Sequence, residues 1–180
     1  IEAEYKRRRR RFRLPKIFGE QRFVDFRVEG DRITLIDDQA FERDPVNIIR
    51  LFHESHFRDL MIHPHALRVI TQHQNLINAD LRRDPEANRL FLEILTSERG
   101  PERNLRRMSE ARVLGKFVPD FGRVVAQMQF DMYHTYTVDE HTLVCLGVLN
   151  GIEQGELKEI APIATDVVHK VLSRRALYVA

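Results

Sequence analysis

Proline residues divide the middle of this 180-residue chain into helices. Proline lacks an amide hydrogen and has a fixed φ, so it suits the first position of a helix and disrupts a helix interior. The pattern predicts four successive helices, with Asp44 as the N-cap of the first and Ile77 in the second. Each follows one of four dipeptides: Asp44-Pro45, His63-Pro64, Asp84-Pro85 and Gly100-Pro101.

An alternating apolar pattern upstream of these helices predicts a β-hairpin. Its turn is Glu29-Gly30-Asp31, where Gly30 can adopt the positive φ that tight turns often need. No further strand is expected after it. The apolar residues of the two strands are Phe23, Val24, Phe26 and Val28, then Ile33, Leu35 and Ile36.

The second half of the chain is expected to remain helical. Glycine and proline residues within 113–137 predict a compact loop with short helices. Two longer helices are expected at 138–154 and 163–180, and the second ends in an apolar stretch with no cap, as if cut inside a core element. The predicted fold class is mainly α, a helical bundle with a small β-hairpin near the N-terminus.

Composition excludes several classes of protein. A hydrophobic fraction of 43% and a charged fraction of 31% are typical of a soluble globular protein. No run approaches the about 20 apolar residues that a membrane span needs, so no membrane association is expected. Cys145 is the only cysteine, which excludes an internal disulfide and any multi-cysteine metal site and favours a cytoplasmic location.

Basic charge is concentrated near the N-terminus, where residues 5–13 are mostly lysine and arginine. A protein that binds nucleic acid through its folded body usually spreads basic residues over one face. A nucleic-acid partner is therefore not favoured, and residues 1–20 are expected to be a basic tail or the end of a preceding helix.

Two groups of residues resemble metal sites only superficially. His53-Glu54-Ser55-His56 is one residue shorter than a His-Glu-x-x-His motif, and a third ligand would have to come from His63 or His65. Ordinary histidines explain this group better. Asp37-Asp38 follows a strand but lacks the Gly-Ser and Asp-x-Asp of nucleotidyltransferases, so we interpret it as a turn.

Phosphate-binding glycine loops of the P-loop and dinucleotide types are missing from the sequence. Gly147, Gly151 and Gly155 are spaced by four, but the polar residues between them argue against a membrane dimer motif. Close helix packing in the bundle is the favoured interpretation for all three.

His141 is the best candidate for a chemical role. Thr137 or Asp139 can cap its helix, and helical steps place Cys145 on the same face, so His141 is predicted to point inward. The residues alone favour a hydrogen-bonded core histidine over a metal ligand. A thiol dyad with Cys145 is disfavoured because apolar surroundings raise a thiol pKa.

Four long segments resemble the family of bacterial PII uridylyltransferase/uridylyl-removing enzymes. They occur in the same order as in that family, and the resemblance extends from about residue 20 to the end of the chain. The segments are residues 44–52 (DPVNIIRLF), 84–95 (DPEANRLFLEIL), 113–123 (VLGKFVPDFGR) and 133–142 (YHTYTVDEHT).

The resemblance implies a fragment of a larger enzyme. Residues 21–132 would be a hairpin plus helical linker domain, and residues 133–180 would begin an HD-type phosphohydrolase domain. His141 would be the first histidine of the HD metal site, holding Mg or Mn together with ligands beyond Ala180. This assignment favours a metal-ligand role for His141.

The same resemblance implies the reaction and its partners. The parent enzyme would transfer UMP from UTP to a tyrosine of PII signalling protein, and remove it again in response to glutamine through domains outside this chain. The fragment contains neither complete site and is expected to be inactive alone.

Two alternatives remain open from the sequence. The Asp-Pro-x-x-x-x-Arg pattern from Asp44 to Arg50 is similar to the neck helix of CCA-adding enzymes and poly(A) polymerases, which would give the basic run an RNA partner. This alternative does not account for residues 133–142. The other alternative is a non-enzymatic helical scaffold.

Overall fold

The three-dimensional structure, a computed structural model, describes residues 25–125 and 137–180. Predictions for the basic run, Phe23, Val24 and residues 126–136 lie outside this description. The first half contains β1 (Phe26–Glu29), β2 (Arg32–Leu35), α1 (Ala40–Arg43), α2 (Asn47–Phe57), β3 (Met61–Ile62), α3 (Pro64–Gln72), a 3-10 turn (Gln74–Leu76), α4 (Ala79–Arg83) and α5 (Pro85–Leu95). The second half contains α6 (Pro101–Glu110), α7 (Leu114–Phe117), α8 (Pro119–Val124), α9 (Val138–Glu153), α10 (Pro162–Val168) and α11 (Arg174–Val179).

The predicted hairpin is confirmed, and a third strand joins it. β1 and β2 are antiparallel, with Phe26 opposite Leu35, and Gly30 turns the chain at φ +62°. β3 pairs in parallel with β2, with Ile62 beside Ile33. This strand was not predicted because its two residues are too few to show alternation.

Three of the four predicted helix starts are confirmed. His63 Nδ1 accepts the backbone N–H of His65 at 3.1 Å, and Asp84 Oδ1 accepts that of Ala87 at 2.8 Å. Gly100 precedes α6 with φ +76°. These local contacts satisfy amide groups that the first helical turn leaves free.

The prediction that Asp44 is the N-cap of the first helix is wrong. Asp44 ends the short helix α1, and α2 begins three residues later at Asn47. Asp44 still ties the two helices, because its Oδ1 accepts the N–H of Val46 at 3.0 Å and its Oδ2 accepts from Arg50 at 2.9 Å.

Asn47 is a polar residue that is buried in the apolar core at the start of α2. Its side chain is fully buried, and its Nδ2 donates to the Ala40 carbonyl at 3.0 Å and to Asp25 Oδ2 at 2.9 Å. Arg43 also binds Asp25, at 2.9 Å. The Asp44–Arg50 pattern therefore anchors α2 to α1 and to the start of β1.

Two helix boundaries differ from the prediction. Ile77 does not belong to α3, which ends at Gln72 before the 3-10 turn. The expected single helix at 163–180 is two short helices, because Ser173 interrupts it and accepts the N–H of Ala176 at 3.2 Å as the cap of α11. Short helices α7 and α8 confirm the prediction for the described part of 113–137.

One apolar core joins the sheet to the helices. Fully buried side chains include Ile33 on β2, Phe52 on α2, Ile94 on α5 and Met108 on α6. Leu143 of α9 belongs to the same cluster. In the described ranges, no helix is long and apolar enough to cross a membrane.

Candidate functional site

His141 lies in the first turns of α9, on its exposed face. Thr137 begins the helix as expected, and its carbonyl accepts the N–H of His141 at 2.9 Å. The prediction that His141 points inward is wrong. The buried face of α9 consists of Leu143, Gly147, Asn150 and Gly151.

Apolar spacing failed here because α9 carries apolar residues all around its circumference. Cys145, which was assigned to the inner face with His141, is exposed, and so is the apolar residue Val148. The two glycines, which add no apolar area, allow α9 to approach α6 closely. The apolar pattern alone therefore does not mark the buried face.

Cys145 lies one turn along from His141. Its Sγ is 3.5 Å from His141 Nε2, within hydrogen-bonding range for sulfur. Both residues are exposed, so the apolar surroundings expected for the thiol are not observed.

An arginine fixes the turn that carries His141. Arg106 of α6 contacts both carboxylate oxygens of Glu140, and its Nη2 is 2.7 Å from Glu102 Oε1. The hydrogen bond to Glu140, followed by that to Glu102, raises the pKa of Arg106. Charge-assisted contacts of this kind are stronger than neutral ones, so they help to hold the first turn of α9 on α6.

A second group of contacts holds the C-terminal end of α9. Arg174 binds both oxygens of Glu153 at 2.8 Å, and the Tyr178 hydroxyl donates to the same carboxylate. Burial raises the pKa of Tyr178 to about 12, and the bond to Glu153 adds to the effect. Burial opposes ionisation of Glu153, but hydrogen bonds from Arg174 and Tyr178 outweigh it and lower the pKa of Glu153.

A polar cavity of about 340 Å³ is bounded by α2, the α5–α6 loop, α6 and α9. Three of its lining residues are Arg99, Arg103 and Arg107. His56 and Asn104 also line it, and each has a buried side-chain atom without a hydrogen-bond partner among the described residues.

The surroundings of His56 disfavour its protonation. Burial lowers the pKa of His56 to about 4, and the positive charges of Arg99, His53 and Arg107 contribute in the same direction. Burial, followed by the neighbouring Arg103, lowers the pKa of Arg107. Sequence reasoning missed this cavity, although the spacing of four between its arginines is a helical signal.

The structure does not bring the four other candidate histidines together. His53 Nε2 lies 2.7 Å from Glu93 Oε2, whereas His56 lines the cavity. His63 caps α3, and His65 Nε2 lies 3.1 Å from Asp38 Oδ1. Among the described residues, no group of three or more His, Cys, Asp or Glu could hold a metal ion.

The predicted turn at Asp37-Asp38 is confirmed. Asp37 Oδ1 accepts the N–H of Gln39 at 2.9 Å and binds Arg43 at 2.7 Å. Both contacts are local to the connection between β2 and α1, so they account for Asp37 as a turn residue.

The glycine prediction is confirmed for two residues and wrong for the third. Gly147 and Gly151 are buried on α9. Gly155 instead ends the helix with φ +72°, and the following N–H of Glu156 binds the Gly151 carbonyl at 2.9 Å. This is a Schellman arrangement, in which the left-handed position favours glycine.

Comparison with known proteins identifies similar sequences over the whole chain. The family described as "Uridylyltransferase GlnD third domain" matches residues 26–117, from β1 to the end of α7. A protein of Azospirillum brasilense named "Bifunctional uridylyltransferase/uridylyl-removing enzyme" is 54% identical over 183 residues, covering 100% of this chain and 20% of its own length. A protein of Novosphingobium aromaticivorans with the same name is 47% identical over 180 residues, again 100% of this chain and 20% of its own length.

The chain thus spans about a fifth of the length of these relatives. No solved structure matches it. Since the matched range of 26–117 makes up more than half of the 180 residues, the chain belongs to the uridylyltransferase GlnD third-domain family.

Proposed function

We propose that this chain is a segment of a bifunctional enzyme that transfers UMP from UTP to a tyrosine of PII signalling protein and hydrolyses it off in response to glutamine. The observation that supports this proposal is similarity along the whole chain, at 54% and 47% identity, to two proteins named for the two opposing activities. The proposed location of the enzyme is the cytoplasm.

Within that enzyme, residues 26–117 serve as a helical scaffold and α9 begins the hydrolytic portion. The non-enzymatic scaffold, which the sequence left open as an alternative for the chain, is thus proposed as the role of residues 26–117. The RNA nucleotidyltransferase alternative loses its support, because the pattern from Asp44 to Arg50 lies inside the range matched by the third-domain family and anchors α2 in the structure.

His141 is proposed as one ligand of an HD-type centre for Mg or Mn. Its exposed position, on a turn oriented by Arg106, leaves the imidazole accessible to residues outside this chain. The described residues supply no set of ligands that fits a metal ion, so the other ligands of the centre would have to come from elsewhere in the enzyme. Without those ligands and without the Gly-Ser and Asp-x-Asp motifs, the chain alone is proposed to be inactive in both directions.

The test is the substitution His141→Ala in the full-length enzyme. We expect uridylyl removal to fall at least about tenfold, because a lost ligand costs no less than a lost outer-shell partner. Uridylyl transfer should stay within about twofold, since binding of UTP uses another domain. Metal affinity, measured separately by calorimetry, should fall in parallel with hydrolysis.

His65→Ala provides a matched control, because it removes a partly exposed imidazole far along the chain from α9. The control should leave both activities unchanged. Normal uridylyl removal by His141→Ala would exclude the ligand role.

A further inference from the structure

The cavity between α2, α6 and α9 has the size and chemistry of a small-molecule site. Its volume of about 340 Å³ falls within the range of known ligand pockets, about 300–1,000 Å³. Part of its wall comes from α2, α6 and α9, and helices hold side chains more accurately than loops do. What it could bind follows from the groups that face it.

Arg107 brings a cation to the cavity, and none of the described carboxylates forms a hydrogen bond or ion pair with it. It is partly buried on α6, and Asp59 and Glu110 influence its pKa only through space, without a hydrogen bond. A partly desolvated charge with no bound counter-ion destabilises a fold. Arg103, one turn earlier on α6, adds a second positive charge.

The lining also contains four carboxylates, and in the described structure Asp59, Glu98 and Glu102 make no ion pair with Arg103 or Arg107. Glu102 is turned towards Arg106, 2.7 Å away. Asp59 and Glu98 are exposed. Glu156, also exposed, makes an interaction of its own. Arg103 is exposed as well, so Arg107 is the arginine of the lining that is partly buried.

Two buried polar atoms in the cavity wall have no partner among the described residues: Nε2 of His56 and Oδ1 of Asn104. Asn104 is only 2% exposed, and its Nδ2 is fixed by donating to the Phe52 carbonyl at 3.2 Å. That bond leaves Oδ1 as an unused acceptor. Buried polar atoms in native proteins are nearly always satisfied, so a bound molecule is expected to supply the missing bonds.

The N-terminus of α6 lies at the same cavity. Gly100 is its N-cap and has no side chain to bind the first amides, while Pro101 occupies the first position. Free amides at the start of a ten-residue helix carry partial positive charge and commonly bind anions.

We propose that this cavity binds a phosphate monoester or free phosphate, with Arg103, Arg107 and the α6 N-terminus as donors to the phosphoryl oxygens. His56 lies beside the anion, and Asn104 Oδ1 accepts a hydrogen bond from a hydroxyl of the ligand. The proposal goes beyond the proposed function and does not depend on it, since it concerns binding to this chain and neither enzymatic reaction.

Binding is tested by titrating the 180-residue chain with inorganic phosphate and, separately, with UMP, using calorimetry and proton NMR of the histidine rings. Each titration is matched with sodium chloride at the same ionic strength. We expect saturable binding and a shift of the His56 resonances. Tighter binding of UMP would identify a nucleotide as the source of the phosphate, and equal binding would identify the phosphate group alone; both support the proposal.

Arg107→Gln is the decisive variant, because removing an unpaired cation should leave the melting temperature unchanged or higher. It should weaken phosphate binding at least about tenfold, the value of one strong charge-assisted hydrogen bond. Arg83→Gln is the matched control, since it removes an exposed arginine on α4 and should change nothing. Absence of saturable binding for both probes, or an equal effect of the two variants, would overturn the proposal.

Discussion

His56 makes the stability of this protein depend on pH in a defined window. Burial lowers its folded-state pKa from 6.5 to about 4, with help from Arg99 and Arg107. Between those two values the unfolded chain binds more protons than the folded one. The contribution is therefore fully present above pH 6.5 and is lost as the pH falls towards 4.

The size of the effect follows from the two pKa values. Linkage predicts a loss of about 2 kcal/mol in the free energy of unfolding between about pH 7 and about pH 5. That is a large share of the about 5–15 kcal/mol typical of a domain. Most carboxylates remain ionised over this interval, so they contribute little to the change.

His73 has the opposite effect on the pH dependence of stability, so its contribution must be separated from that of His56. The Val69 carbonyl, followed by Glu42, raises the pKa of His73. Its contribution is present at low pH and is lost as the pH rises through the folded-state pKa. A simple pH profile of the wild type would therefore understate the effect of His56.

Urea unfolding of the wild type and of His56→Gln at about pH 7 and about pH 5, in phosphate-free buffer, isolates the contribution of His56. Glutamine keeps a polar side chain but does not titrate. The stability difference between the two proteins should change by about 2 kcal/mol between the two pH values, with the wild type losing more. Parallel pH profiles would refute the reasoning.

Two other substitutions test the close packing at Gly122 and the hydrogen bond from Tyr178 to α9. Gly122→Ala should lower stability by about 1–3 kcal/mol in thermal unfolding, because the new Cβ would lie 2.2 Å from the Gly115 carbonyl oxygen; unchanged stability would contradict this close approach. Tyr178→Phe should cost about 1–2 kcal/mol by removing a hydrogen bond to a partly buried carboxylate, that of Glu153. A loss under about 0.3 kcal/mol would show that Arg174 alone is enough to hold the Glu153 carboxylate.

Local signals in the sequence predicted much of the fold. Asp84 and Gly30 were assigned correctly because a helix cap and a tight turn depend on a few neighbouring residues. The N-cap assignment of Asp44 was wrong although its sequence looks like a helix cap. Its side chain lies between α1 and α2, where it accepts the N–H of Val46 and binds Arg50. β3 could not be found, since Ile62 is a strand residue only by pairing with distant Ile33.

The candidate site was less predictable because it depends on which face of α9 is buried. His141 was identified, but its predicted orientation was wrong, since apolar residues surround the helix and the buried face includes Gly147 and Asn150. The arginines of the cavity are spaced by four, yet a sequence does not reveal that Arg107 lacks a bound carboxylate. These features depend on how α2, α6 and α9 pack against one another in the folded chain.

The position of α9 connects the candidate site to the cavity. At its N-terminal end Glu140 binds Arg106, and at its C-terminal end Asn150 Nδ2 donates to the Ser97 carbonyl at 3.2 Å. Both bonds reach the α5–α6 region within the family-matched range, and Asn150 also lines the cavity. Because α9 is one continuous helix, its spacing from α6 cannot change without breaking one of these bonds or moving the turn that carries His141.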